Sequence, residues 1–243
     1  MKILLCTLLI FAGYQCYGTA VLVIETEDGS VILAADAKVI ESGTDRTFSW
    51  CKIGKLDSDT YWSAASNFYI SPSGFSVPAL VESLDHNGPL ESRVQRLVAK
   101  IKAPLAKEVE GIEKIDPGEY RNYLARTHTP LEIAFVGLEG KGPRWVIVRF
   151  YVYKNGKHLV VKAKSEPRTR PSGIYGIGFW GPAGEYLSSH RIGSLPMLRQ
   201  EVTRALEHAA DVDPHNGVGG PYSILLINKS GPSWVQEGDC PLK

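Results

Sequence analysis

The order of apolar segments along the chain constrains its fold more than any other feature of the sequence. Residues 20–36 contain two aliphatic, β-branched runs around Asp28-Gly29, a dipeptide that favours a type I′ hairpin turn. The segments SWCKIGKL (49–56) and TYWSAAS (60–66) predict the next two strands. Residues 67–90 are rich in turn-forming residues, and we predict a loop with short irregular elements there.

The middle of the chain changes to helical periodicity. Apolar residues recur at helical spacing over 91–112, where Pro104 is expected to split or kink the helix. Asp116-Pro117 is typical of a helix start and predicts a second helix through Arg126.

Strands return in the second half of the chain. LEIAFVGL, RWVIVRFYVY and HLVVKAK predict three strands, with Asn155-Gly156 as the clearest hairpin turn. GIYGIGFWG predicts another strand, and Leu195 to Ala210 has the spacing of an amphipathic helix. YSILLINKSG and a short segment near Trp234 predict the last strands.

This order of strands, paired helices, strands, helix and strands favours the α+β class. Two mostly antiparallel sheets stacked between helix layers, a four-layer αββα sandwich, would bury the apolar faces of both sheets. The length suits a single domain over residues 19–243.

The first 18 residues have the pattern of an export signal peptide. Lys2 provides a positive start, residues 3–14 form a short apolar run, and Cys16 and Gly18 place small residues at a cleavage site. We therefore predict a secreted or periplasmic protein. Cleavage would leave Thr19 at the new N-terminus.

The composition limits the classes of partner that the chain could bind. The chain has 27 Lys and Arg against 26 Asp and Glu, which argues against nucleic acid or an anionic membrane as the main partner. After residue 18 no stretch is long and apolar enough to span a bilayer, so we expect no membrane association after signal cleavage. Cys51 and Cys240 remain outside the signal, and an oxidising compartment would permit one disulfide. We expect no metal or cofactor, since no metal-binding Cys or His spacing is present.

An N-terminal threonine would carry its own chemistry. A free α-amine beside a threonine hydroxyl is a pair of base and nucleophile on one residue. The unperturbed pKa of an α-amine is about 7.7–8.0, so a usable fraction is neutral near pH 7.

The residues around this threonine resemble the start of a proteasome β-subunit, in the N-terminal nucleophile (Ntn) hydrolase superfamily. The resemblance rests on Gly18-Thr19, Asp28-Gly29, Ala34-Ala35-Asp36, Lys38, Cys51-Lys52-Ile53, and Tyr61 followed by SAAS. It implies the Ntn hydrolase fold and a homo-oligomer. It also implies a threonine-type peptidase or amidohydrolase that cleaves peptide or other amide bonds through an acyl-enzyme on Thr19.

The same resemblance implies roles for three further residues. Lys52 would lower the proton affinity beside Thr19, and Asp36 would hold Lys52 in place. Backbone N–H groups around Ser66 would form the oxyanion hole.

The second half departs from the family pattern. HNGVGGP (215–221) and WGPAGE (180–185) stand where the family has a supporting Asp and serines. Asp213 or His215 could replace the Asp. The alternative function is therefore a catalytically inactive proteasome-like subunit that serves assembly or binding.

One further motif points to a different function. The segment from Gly176 to Gly181 fits G-x-G-x-x-G, but Pro182 follows and the neighbouring strands form hairpins. A dinucleotide site needs this motif between a strand and a helix of a βαβ unit. We interpret it as a glycine-rich strand and turn.

Overall fold

A computed structural model describes residues 19–40, 47–66, 74–85, 87–140, 142–166, 172–190, 195–213 and 217–240. The predicted signal peptide, residues 1–18, lies outside the described residues, as does His215.

The described residues form twelve strands and five helices in an order that begins and ends with strands. The strands are β1 (Ala20–Glu25), β2 (Val31–Asp36), β3 (Lys38–Ile40), β4 (Thr47–Ser49), β5 (Ile53–Lys55), β6 (Thr60–Ser66), β7 (Leu131–Glu139), β8 (Gly142–Asn155), β9 (His158–Glu166), β10 (Gly173–Gly178), β11 (Tyr222–Asn228) and β12 (Gly231–Gln236). The helices are α1 (Val77–Glu82), α2 (Leu90–Ile115), α3 (Pro117–Ala125), α4 (Gly181–Ser188) and α5 (Leu195–Val212).

The first sheet has the strand order β10-β1-β2-β11-β12, with every neighbouring pair antiparallel. The β1–β2 hairpin is confirmed, but its turn is not the two-residue type I′ turn expected from Asp28-Gly29. The amide of Thr26 donates to the carbonyl of Ser30, and Gly29 has a positive φ of 80° whereas Asp28 does not. A type I′ turn needs positive φ at both central residues, so the hairpin uses a longer loop.

The second sheet has the order β5-β6-β7-β8-β9, again antiparallel throughout. The hairpin at Asn155-Gly156 is confirmed, with Asn155 opposite His158. The strand expected over 49–56 is shorter than predicted, because only Ile53–Lys55 pairs with β6. Ser49 instead belongs to the separate β3–β4 hairpin, which the sequence did not indicate.

The helices follow the predicted periodicity with two additions. α2 continues through Pro104 without a break, and α3 begins at Pro117 after Asp116, whose carboxylate accepts from the amide of Glu119 at 2.9 Å. α1 lies within the region predicted as irregular, and its start is capped by the hydroxyl of Ser76. α4 is the second helix that the sequence pattern did not indicate. None of the described helices combines the length and hydropathy needed to cross a bilayer.

Three apolar clusters explain why these elements hold together. One lies between the two sheets and includes Val21 and Val23 of β1 with Ala134 and Val136 of β7. The second packs α1, α2 and α3 against the second sheet, and the third packs α4 and α5 against the first sheet. Because successive strand residues face opposite sides, β1 supplies Val21 to one cluster and Leu22 to another. The α+β class with antiparallel sheets is confirmed, while the single-domain assignment stays a prediction.

A disulfide joins Cys51 to Cys240, which follows β12. The two residues are 189 positions apart in the chain. Cross-linking such distant positions restricts the unfolded chain, so the bond stabilises the fold.

We expect the double substitution Cys51→Ala with Cys240→Ala to lower the free energy of unfolding by up to about 5 kcal/mol, because the long loop regains its entropy. Urea unfolding of the oxidised chain and the variant measures the difference. Equal midpoints would show that the cross-link contributes nothing to stability.

A second stability test concerns Gly178, whose φ is +68°. An added Cβ there would lie 1.9 Å from the main-chain oxygen of Thr19, a contact that the backbone must move to relieve. We expect Gly178→Ala to cost about 3 kcal/mol or more. Gly140→Ala is the matched control, since Gly140 has φ +58° and nothing within 4 Å of the added atom. Gly140→Ala should lower the free energy of unfolding by about 1 kcal/mol. Thermal unfolding of the two variants then separates the cost of the close contact from the cost of backbone strain.

Candidate functional site

Thr19 lies immediately before β1 in a closed environment. It is 1% exposed, and its carbonyl oxygen accepts a hydrogen bond from the amide of Phe179 at 2.9 Å. Among the described residues its hydroxyl has no hydrogen-bond partner. Buried hydroxyls are normally hydrogen-bonded, so a buried hydroxyl without a partner is an exception that calls for a functional explanation.

The β1–β2 hairpin brings Asp36 to the start of β1. Its antiparallel register pairs Val21 with Ala35, which sets Asp36 beside Ala20. The amide of Ala20 donates to Oδ1 of Asp36 at 3.0 Å. The residue that follows Thr19 is therefore fixed by the last residue of the neighbouring strand.

Lys52 approaches the same carboxylate from a different segment, between Cys51 and β5. Its Nζ donates to Oδ1 and Oδ2 of Asp36 at 3.0 and 2.9 Å, and both side chains are buried. The amide of Gly219 adds a longer bond of 3.3 Å to Oδ2. One buried carboxylate thus binds a charged donor and two main-chain donors, which compensates its desolvation.

Burial is the dominant influence on this carboxyl group. It raises the pKa of Asp36 above its usual value, while the Lys52 ammonium and the amides of Ala20 and Gly219 oppose the rise. The ammonium of Lys52 and the amide of Ala20 share Oδ1, so positive charge stands close to the main chain next to Thr19.

Two contacts fix the main chain of the residues before Lys52. The amide of Trp50 donates to the carbonyl of Ala37 at 2.8 Å, and Cys51 is bonded to Cys240. These two links leave Lys52 little freedom to move away from Asp36.

Ser66 is the last residue of β6 and is buried. Its hydroxyl donates to the carbonyl of Pro130 at 2.9 Å, so this side chain is engaged with the segment before β7. The preceding residue, Ala65, lies close to Gly178, whose backbone also approaches Thr19. The oxyanion role of the Ser66 backbone stays a prediction.

The supporting roles of Asp213 and His215 stay predictions. Asp213 follows the end of α5 and is partly buried. His215 lies outside the described residues. The contacts that sequence reasoning missed are main-chain amides, those of Gly219 to Asp36 and of Phe179 to Thr19. Glycine-rich turns were visible in the sequence, but which carboxylate or carbonyl they would meet was not.

Tyr222 also lies at this site, opposite Asp36 across the β2–β11 pair. Burial, followed by the charges of Glu207, Asp36 and Asp211, raises the pKa of Tyr222 to about 12. The phenol is therefore neutral at physiological pH, and it cannot act as the base there.

The resemblance of the structure to solved proteins is consistent and distant. Anbu from Hyphomicrobium sp. matches with a TM-score of 0.50 and 14% identity, over 89% of this chain and 87% of that chain. Anbu from Yersinia bercovieri, described as an ancestral beta-subunit, matches with a TM-score of 0.51 and 12% identity, over 90% and 87%. A mutant form of the Hyphomicrobium protein gives 0.52 and 16%, over 90% and 88%. No family model matches the sequence, and no curated protein does.

These matches correct the family resemblance inferred from the sequence. The sequence identifies the chain with proteasome β-subunits that carry an export signal, and that identification is wrong: the three solved structures described above are Anbu proteins, and they give the signal no support. The short motifs around Thr19 were too few to separate related groups that share one fold. At 12–16% identity the likeness shows the fold.

The ion pair makes a testable contribution to stability. Replacing Lys52 by Met leaves the Asp36 carboxylate buried without its charged partner, which should cost about 3–5 kcal/mol near neutral pH. Loss of the ammonium raises the folded-state pKa of Asp36 further, whereas the pKa of an unfolded Asp is about 3.9. Stability of the variant should therefore be retained below about pH 4 and fall as the pH rises through the folded pKa.

Urea unfolding at several pH values measures this dependence. Adding Asp36→Asn to Lys52→Met should remove it, and Lys55→Met, at an exposed lysine close by, should behave like the unmodified chain. A Lys52→Met chain with unchanged stability across this range would contradict the role assigned to the pair.

Proposed function

We propose that this chain is an N-terminal threonine hydrolase that cleaves peptide or other amide bonds once residues 1–18 have been removed. The observation that carries the proposal is the buried Thr19 hydroxyl, which has no partner among the described residues. The next residue, Ala20, donates its amide to Oδ1 of Asp36, and Lys52 donates to the same oxygen.

The proposed reaction uses groups of a single residue and its neighbours. The α-amine released at Thr19 takes the proton from Oγ as Oγ attacks the substrate carbonyl, and it returns a proton to the leaving amine. Water activated by the same amine then hydrolyses the acyl-enzyme. The Lys52 ammonium favours negative charge near Oγ, and Asp36 orients Lys52.

Other residues have supporting roles in this proposal. Backbone N–H groups around Ser66 would bind the developing oxyanion. Asp213 or His215 would support the amine. The catalytic assignment itself rests on Thr19, Asp36 and Lys52.

We also infer that the elements are stacked as the four-layer αββα sandwich of the Ntn hydrolases. Three observations support this: an apolar cluster lies between the two sheets, and helices pack against each of the two sheets. The likeness to Anbu supports the same architecture.

The disulfide bears on where the protein works. A bond between Cys51 and Cys240 persists in an oxidising compartment, which supports a periplasmic or secreted location. Assembly into a homo-oligomer is also part of the proposal, and ultracentrifugation of the chain that begins at Thr19 would measure it.

The nucleophile can be tested by covalent labelling. We expect an electrophile directed at N-terminal threonine to label the chain that begins at Thr19, and mass spectrometry should locate the adduct there. The chain that still carries residues 1–18 should stay unlabelled, because its Thr19 has no free amine.

Two substitutions serve as test and control. Thr19→Ala should abolish labelling. Thr203→Ala should not, although Thr203 on α5 is another threonine whose buried hydroxyl lacks a partner among the described residues. A folded chain with a free Thr19 terminus that resists labelling would refute the hydrolase and favour the non-catalytic alternative.

A further inference from the structure

A row of charged residues crosses the second sheet beside β10. Glu132 of β7 lies directly opposite Arg149 of β8, and the Arg149 Nε donates to Oε1 of Glu132 at 2.5 Å. Arg149 also pairs through Nη1 with Glu166 at the end of β9. The side chains of Glu132 and Arg149 are 12% and 14% exposed, so the pair is largely shielded from water.

This row reaches across to the first sheet. Oε2 of Glu132 accepts from the amide of Gly178 at 2.7 Å, and Nη2 of Arg149 donates to the carbonyl of Gly176 at 2.7 Å. β10 is the edge strand of the first sheet, and among the described strands it pairs only with β1. On its outer side β10 has main-chain groups that no described strand pairs with. Glu132 and Arg149 of the second sheet bind two of these groups, the Gly178 amide and the Gly176 carbonyl.

The strand end held in this way is the one that holds Thr19. Gly178 pairs with Ala20, and the next residue, Phe179, donates its amide to the Thr19 carbonyl at 2.9 Å. The approach is so close that a Cβ on Gly178 would lie 1.9 Å from that oxygen. A shift of the Gly176–Phe179 segment would therefore move the main chain of Thr19.

We infer that Glu132 and Arg149 are positioning residues of the Thr19 site, which act by fixing the end of β10 against the Thr19 main chain. The inference rests on the proposed function for its catalytic meaning. Neither residue takes a proton in the reaction, because their hydrogen-bonding atoms point to each other, to Glu166 and to the backbone of β10.

The charge of Glu132 is suited to this task. Hydrogen bonds with an ionised acceptor are stronger than neutral ones, so a carboxylate holds the Gly178 amide better than water would. Burial raises the pKa of Glu132, while the Gly178 amide and Arg149 oppose the rise. Glu166, on the far side of Arg149, is a second acidic group beside this pair and is more exposed.

The test compares two substitutions of Glu132 in the chain that begins at Thr19. Glu132→Ala removes the acceptor for the Gly178 amide, and Glu132→Gln retains an oxygen that can accept it. Glu139→Ala is the matched control, since Glu139 lies on the same strand and accepts the amide of Leu90 at 2.9 Å, away from β10.

Two quantities are measured: hydrogen exchange of the Gly178 and Phe179 amides by NMR, and labelling of Thr19 against probe concentration. We expect Glu132→Ala to speed both exchanges and to lower the maximal labelling rate, each by about tenfold, as a misplaced reacting group should. The half-saturating probe concentration should stay the same. Glu132→Gln should recover most of the loss, and Glu139→Ala should leave both quantities unchanged.

The inference is overturned if Glu132→Ala exchanges these amides at the unmodified rate, or if Glu132→Gln is as impaired as Glu132→Ala. Equal slowing of labelling by Glu139→Ala would also overturn it, because general destabilisation would then account for the effect. If the unmodified chain is never labelled, the proposed hydrolase fails, and the exchange of Gly178 and Phe179 alone decides whether Glu132 holds β10 in place.

Discussion

The buried carboxylate of Asp36 is the constraint on which the site depends. It binds Lys52, the amide of Ala20 and the amide of Gly219, and so joins three separate segments of the chain, the last of them 183 residues away. A buried charge is tolerated only when its partners are in place. The fold must therefore deliver these donors together, and the threonine next to Ala20 is fixed as a result.

The strand pattern could be predicted because it depends on local chemistry. The aliphatic runs of β1 and β2 and the hairpin at Asn155-Gly156 were visible as alternation, β-branching and turn residues. The helical spacing of α2 was visible in the same way, and the chain continues through Pro104 because packing against the second sheet outweighs one lost hydrogen bond. The helices α1 and α4 were missed because a helix of six or eight residues offers too few turns for periodicity.

The contacts of the site could be predicted only in part. The residue types of Thr19, Asp36 and Lys52 suggested a chemistry, but the amides that bind Asp36 and Thr19 carry no side-chain signal in the sequence. The contacts of Glu132 and Arg149 with β10 could not be predicted either, because in the sequence each residue looks like an ordinary charged residue of a strand. The glycine motif at 176–181 shows the same limit. It lies in β10 and the start of α4, and it brings the main chain of Gly178 close to that of Thr19, a contact that the motif itself did not predict.

The disulfide has a consequence for the order in which the protein matures. Gly219 lies 183 residues after Asp36, and Cys240 lies 189 residues after Cys51, so each is synthesised long after the residue it contacts. The contacts around Asp36 and Lys52 are therefore completed only when the segment that holds Gly219 has docked and the two sulfurs have been oxidised. Until then a nascent chain lacks the hydrogen bond from Gly219 to Asp36 and the covalent link beside Lys52, so the buried ion pair is secured late in folding.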